Sequence, residues 1–128
     1  MSVGIVIITH GGTARSLVAE AGFVLGEELT AVYPMEFNHS ENPTSAAHIQ
    51  LCVERADSGD GVLVLTDLMG ASPANVVSAA LEEYHAVMVT GVNLAMLIRA
   101  CNYREQSLEL VVQKAVEGGK RAVKIFQK

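Results

Sequence analysis

The sequence predicts an α/β protein built on a mainly parallel, doubly wound sheet with helices on both faces. Three observations carry that reading. The runs "VGIVIIT" (3–9), "GVLVLTD" (61–67) and "HAVMVTG" (85–91) are rich in Val, Ile and Leu and lack period-two alternation. Such runs suit strands buried on both faces of a parallel sheet. The segments between them carry helical spacing and cap signals. Strand and helix then alternate along the chain, the pattern of a parallel sheet with crossover helices.

Each element has a local reason. After the first strand, "TARSLVAEAGFVLG" (13–26) has apolar positions at helical spacing and stops at Gly26. "LTAVYPMEF" (29–37) reads as a weaker strand, since Pro34 suits only a sheet edge or a strand end. "NPTSAAHIQLCVERADSGD" (42–60) is helical, with Pro43 and Thr44 near its start and Gly59 past its end. "SPANVVSAALEEY" (72–84) opens with Ser72 as an N-cap and Pro73 at the first helical position. Asn93 is placed to cap "VNLAMLIRACNY" (92–103). "EQSLELVVQKAVEGGKR" (105–121) closes on two glycines, and "AVKIFQK" (122–128) reads as a final short strand. No repeat, low-complexity tract or linker interrupts residues 1–128, which are expected to form one domain.

Composition narrows the class. Half of the 128 residues are hydrophobic, enough for a core without staples. No apolar run approaches the ~20 residues of a membrane span, and the apolar N-terminal stretch, broken at Thr9-His10, does not suit a signal peptide. A soluble, cytoplasmic protein is expected. The net charge is −5 and the basic residues do not cluster in the sequence, which argues against nucleic acid and anionic membranes. Cys52 and Cys101 sit in apolar helical patterns without metal-ligand spacing, so buried free thiols and no metal site are expected.

Polar residues then collect where the strands end. In an open parallel sheet, ligands bind beyond the carboxyl ends of the strands. Those ends are Thr9-His10-Gly11-Gly12, the stretch Thr66 to Ser72, and Gly91-Val92-Asn93. Glycines let backbone approach a ligand closely, and a helix start offers free N–H groups to an anion. An imidazole is mostly neutral near pH 7 and therefore nucleophilic. A carboxylate on one ring nitrogen fixes the tautomer and leaves the other lone pair free. Asp67 ends a strand that the sheet can place beside the first, so it is the natural orienting group for His10. Ser72 and the amides of its helix start suit phosphate oxygens. Asp67 as a turn cap and Ser72 as a helix start are the plainer readings of each residue taken alone. His39, His48 and His85 are expected at the surface, and Met69, Met88 and Met96 in packing.

Taken together, "THGG", "TDLMGASPAN" and "TGVNLAML" resemble the mannose-class IIA domain of the bacterial phosphoenolpyruvate-dependent sugar phosphotransferase system. The resemblance spans the whole chain in order, and "GxSPxN" with "GVNxxML" is its most specific part. It implies that His10 carries a phosphoryl group, that Asp67 orients it and that Ser72 lies beside the site, with no cofactor. It also implies a donor, HPr, a IIB protein as acceptor, and a homodimer in which each C-terminal strand joins the partner's sheet; "AVKIFQK" could serve there. The chain departs from the pattern in Gly12, where many members carry a bulky residue, and no fused IIB domain is expected after Lys128. A transport role and a regulatory phosphorelay both stay open, and the sugar is not legible. A dihydroxyacetone-kinase phosphocarrier shares the histidine but differs in the second loop. A histidine phosphatase needs arginine where Thr9 stands, and a receiver domain needs acidic residues where His10 stands. A non-catalytic binding module differs only in whether His10 is phosphorylated.

Overall fold

The structure, a computed structural model, describes residues 2–37, 46–68 and 70–127, with residues 71–73 as backbone. Nine elements follow one another: β1 (Gly4–Thr9), α1 (Thr13–Leu25), β2 (Val32–Glu36), α2 (Ala46–Ala56), β3 (Val62–Thr66), α3 (Ala71–Ala80), β4 (Ala86–Thr90), α4 (Leu94–Asn102) and α5 (Leu108–Arg121). The four strands form one all-parallel sheet in the order β2-β1-β3-β4. β1 and β3 are central, and every residue of both is buried, which accounts for their unbroken apolar runs.

Alternation along the strands divides the core in two. Ile5, Ile7, Leu63 and Leu65 face α1, α4 and α5, where Ala21, Leu97 and Val111 pack. Val6, Ile8, Val62 and Val64 face α2 and α3, where Ile49, Val53 and Val77 pack. Helices therefore cover both faces, and the doubly wound expectation holds. Pro34 lies within the edge strand β2, paired with Ile7. The Phe37 amide donates to the Thr9 carbonyl of β1, so by alternation the nitrogen of Pro34 faces the free edge, where no donor is needed.

Several local readings need correction. Helix α3 begins at Ala71 with Gly70 as N-cap, so Ser72 and Pro73 occupy the second and third helical positions. Proline is tolerated there because the first-turn N–H groups have no intrahelical acceptor. Helix α5 ends at Arg121, as the segment 105–121 predicts, so Gly118 and Gly119 lie within its last turn. Those glycines serve contact with α4: a Cβ on Gly118 would lie 2.8 Å from the Arg99 Cβ, and one on Gly119 2.7 Å from the Met96 Cε. Residues 123–127 carry no strand, because an isolated apolar segment has no ladder to join within its own chain. Cys52 and Cys101 are free but only half-buried. Burial raises both thiol pKa values, with Arg55 opposing at Cys52 and Arg104 at Cys101, so the reactive thiolate is scarcer than in an ordinary cysteine. His39, Pro43, Thr44 and Met69 lie outside the described residues.

The opposite end of the sheet from the loops of interest is tied by Arg104. Its Nε donates to the Val3 carbonyl at 2.9 Å, Nη1 to Thr30 at 2.7 Å and Nη2 to Ala31 at 3.2 Å. Gly4 begins β1 directly beneath the end of α2, where a Cβ would overlap the Ala56 carbonyl. Forcing a methyl into such a contact costs about 3 kcal/mol. For a chain of this size Gly4→Ala should therefore lower Tm by about 10 °C. A thermal melt unchanged by the substitution would show that α2 can shift away freely.

Candidate functional site

The three loops singled out in the sequence meet at the carboxyl end of the sheet. Thr9, the last residue of β1, is buried, and its Oγ1 accepts the Ala14 amide at 2.7 Å. It thereby caps α1 from beneath, since Gly12 at the N-cap position has no side chain to do so. The chain between β1 and α1 must turn sharply, and Gly11 takes a left-handed conformation at φ +54°. His10 is thus held between a buried strand end and a fixed helix start.

Asp67 comes from the neighbouring strand. β1 and β3 pair in parallel with Ile8 opposite Thr66, so the residues that follow lie side by side. The His10 backbone N–H donates to Asp67 Oδ2 at 3.0 Å. His10 Nδ1 lies 3.1 Å from Oδ2 and 3.2 Å from Oδ1. An ionised carboxylate only accepts, so this geometry assigns the ring proton to Nδ1 and the lone pair to Nε2. The His10 side chain is 45% exposed and that of Asp67 23%, so the pair is open to an approaching reactant. Beyond Asp67, Leu68 presents its apolar side chain to solvent.

The third loop is anchored from two sides. The Val92 amide donates to the Thr66 carbonyl at 2.8 Å, and Gly91 has φ +83°. Asn93 caps α4 as expected, its Oδ1 accepting from the Met96 amide at 2.9 Å. Its Nδ2 also donates to the Gly119 carbonyl at 3.1 Å, binding α5 to the same loop. Of the predicted residues, His10, Gly11, Gly12 and Asp67 come together, and Ser72 lies in the first turn of α3 with its side chain outside the described atoms. His85 stands apart, at the start of β4 against Gly61. The cap role of Thr9 was missed. A Thr just ahead of Gly-Gly and a helix start was the available signal.

Residues 4–116 match the family of the PTS system fructose IIA component. The chain belongs to the mannose-type IIA family of the phosphotransferase system. It is 34% identical over 131 residues to the PTS system mannose-specific EIIAB component of Escherichia coli K12, covering 99% of this chain and 40% of that protein. The IIA chain thus spans about two fifths of the length of these curated relatives. Among solved structures, it resembles a phosphotransferase system component EIIA from Streptococcus agalactiae, with a TM-score of 0.79, 25% identity and 97% of each chain covered. It is also similar to the mannose/sorbose-specific IIA subunit from Enterococcus faecalis, with a TM-score of 0.76 and 26% identity over 100% of this chain and 97% of that one. The family drawn from the three loops is therefore the right one. No helix among the described residues of the IIA chain is long and apolar enough to cross a membrane.

Proposed function

We propose that residues 1–128 act as one cytoplasmic IIA unit that accepts a phosphoryl group on His10 Nε2 from phospho-HPr and passes it to a IIB protein. The observation that carries this reading is the double hold of Asp67 on His10, at the ring Nδ1 and at the backbone, on a side chain that is 45% exposed. The Nε2 lone pair attacks phosphorus as the donor's N–P bond breaks in line, and the donor imidazole leaves with that electron pair. The Nδ1 proton stays on the ring, and the Asp67 carboxylate stabilises the positive charge that the ring then carries. Phosphoryl transfer of this kind depends mainly on positioning and electrostatics. Gly11 and Gly12 bring free backbone N–H groups and the positive end of α1 to the phosphate oxygens, and Ser72 does so from the first turn of α3. No step requires a metal or a cofactor. Incubation with phosphoenolpyruvate, Enzyme I and HPr, followed by intact-mass analysis, should show one added phosphate, labile in acid and stable in base. An unchanged mass would sink the proposal.

The same reading includes a homodimer in which residues 122–128 of each chain add to the partner's sheet. What supports it is the tail itself: Val123, Ile125 and Phe126 are each at least 80% exposed. Large apolar groups left in water at a chain end favour association, and β2 and β4 leave free sheet edges to receive a strand. Light scattering at micromolar concentration should give the mass of two chains. A monomer mass there counts against strand exchange.

A further inference from the structure

A protein that delivers phosphate to His10 must lie against the rim of the site, and the rim is unevenly furnished. In-line attack brings the reacting atoms to about 3–3.5 Å, so the donor's surface presses on whatever surrounds the ring. Even a weak, transient contact covers about 500 Å² on each partner, a disc roughly 13 Å in radius. Much of the rim is bare backbone. Gly11, Gly12 and Gly91 are exposed, and a Cβ built on any of them would meet nothing within 4 Å. Positive φ angles account for glycine at positions 11 and 91. Gly12 has φ −86°, which any residue adopts. Neither its conformation nor crowding within the chain calls for glycine there, and what the missing side chain leaves is an open approach from outside.

Leu68 stands out against this bare surface. It is 86% exposed and follows directly on Asp67, whose carboxylate lies 3.1 Å from His10 Nδ1. Consecutive Cα atoms are about 3.8 Å apart, so Leu68 falls well inside any footprint centred on the ring. It also lines, with Asp67, Thr90 and Gly91, a hollow of about 220 Å³. A single exposed leucine elsewhere on a surface needs no explanation. Other large exposed apolar side chains lie away from the strand ends: Phe23 and Val24 in the last turn of α1, Leu51 in mid-α2 and Val87 near the start of β4. Leu68 is the one that a donor reaching His10 must touch.

We propose that Leu68 is the apolar anchor on which the phosphoryl-donor protein docks. It enters an apolar recess beside the donor's phosphohistidine, while the donor's surface closes over Gly12. A few well-buried side chains carry most of the free energy of an interface, and an apolar knob that loses its water on docking is of that kind. Leu68 has no polar group with which to act in the transfer, so its effect is on binding alone. The proposal rests on His10 as acceptor and adds the contact that separates a protein donor from a small one.

Rapid-quench kinetics of the full chain with two donors tests it. Leu68→Gln should raise KM for phospho-HPr about tenfold while kcat stays within about twofold. Labelling of His10 by phosphoramidate, too small to reach the anchor, should keep its rate. Leu68→Met, close in volume and apolar, should return KM to within about threefold of the original. The side chain is largely exposed, so both variants should melt as the unsubstituted protein does. An unchanged KM in Leu68→Gln, an equal loss with both donors, or a smaller assembly mass by light scattering would overturn the docking role and leave His10 as acceptor. If the unsubstituted protein takes phosphate from neither donor, the reading of His10 itself fails and the anchor falls with it.

Discussion

His10→Ala is expected to fold normally and to gain no phosphate from phospho-HPr. The ring is nearly half exposed, so removing it opens no cavity in the core. The backbone N–H of residue 10 can still donate to Asp67, and the Thr9 cap on α1 is untouched. What disappears is the nucleophile. Among the described residues, His85 precedes β4 at the opposite end of the sheet and has no access to the same donor geometry. Intact-mass analysis after exposure to the complete donor system, with a thermal melt on the same sample, reads both halves of the expectation. Full labelling of the variant would move the acceptor elsewhere.

Asp67→Asn should cost at least about a hundredfold in the rate of phosphoryl uptake. The carboxylate receives two donors from His10, the ring Nδ1–H and the main-chain N–H. An amide of the same shape has one acceptor oxygen and a donor in place of the other. Turned toward the ring, that NH₂ group favours the tautomer with its proton on Nε2, where the nucleophilic lone pair is required. The positive charge of the phosphorylated ring also loses its counter-charge. Loss of an orienting carboxylate in a Ser-His-Asp site costs about ten-thousand-fold, and a smaller loss suits a reaction in which His itself is the nucleophile. Stability should fall by only about 1–2 kcal/mol, the worth of a charged hydrogen bond replaced by a neutral one. Rapid-quench transfer rates decide between roles: an early melt with normal transfer would make Asp67 a structural cap.

The strands and the meeting of His10 with Asp67 were legible because burial on both faces demands apolar runs and polar residues interrupt them. His10 and Asp67 each follow a run of Val, Ile and Leu after a single threonine, and only a few sheet orders bring two such ends together. The errors share a different cause. Gly118-Gly119 reads only as the close of a helical segment, yet here it admits Arg99 and Met96, side chains some twenty residues earlier in the chain. Arg104 shows no pattern at all in sequence, since the three carbonyls it binds belong to Val3, Thr30 and Ala31. The tail 122–128 has the composition of a strand, but a strand exists only with a neighbour. Contacts set by distant residues are the part that local spacing does not encode.

The placement of His10 and Asp67 on β1 and β3 has a consequence for how the protein fails. Both residues emerge from the two inner strands, each hydrogen-bonded on both sides. Such strands open only with the whole molecule, whereas edge strands and chain ends fray at little cost. The amides of β1 and β3 should therefore exchange with deuterium last, after those of β2, β4 and the tail. Heat should then abolish phosphate uptake and tertiary structure at one temperature, leaving no interval in which a folded but inactive protein accumulates.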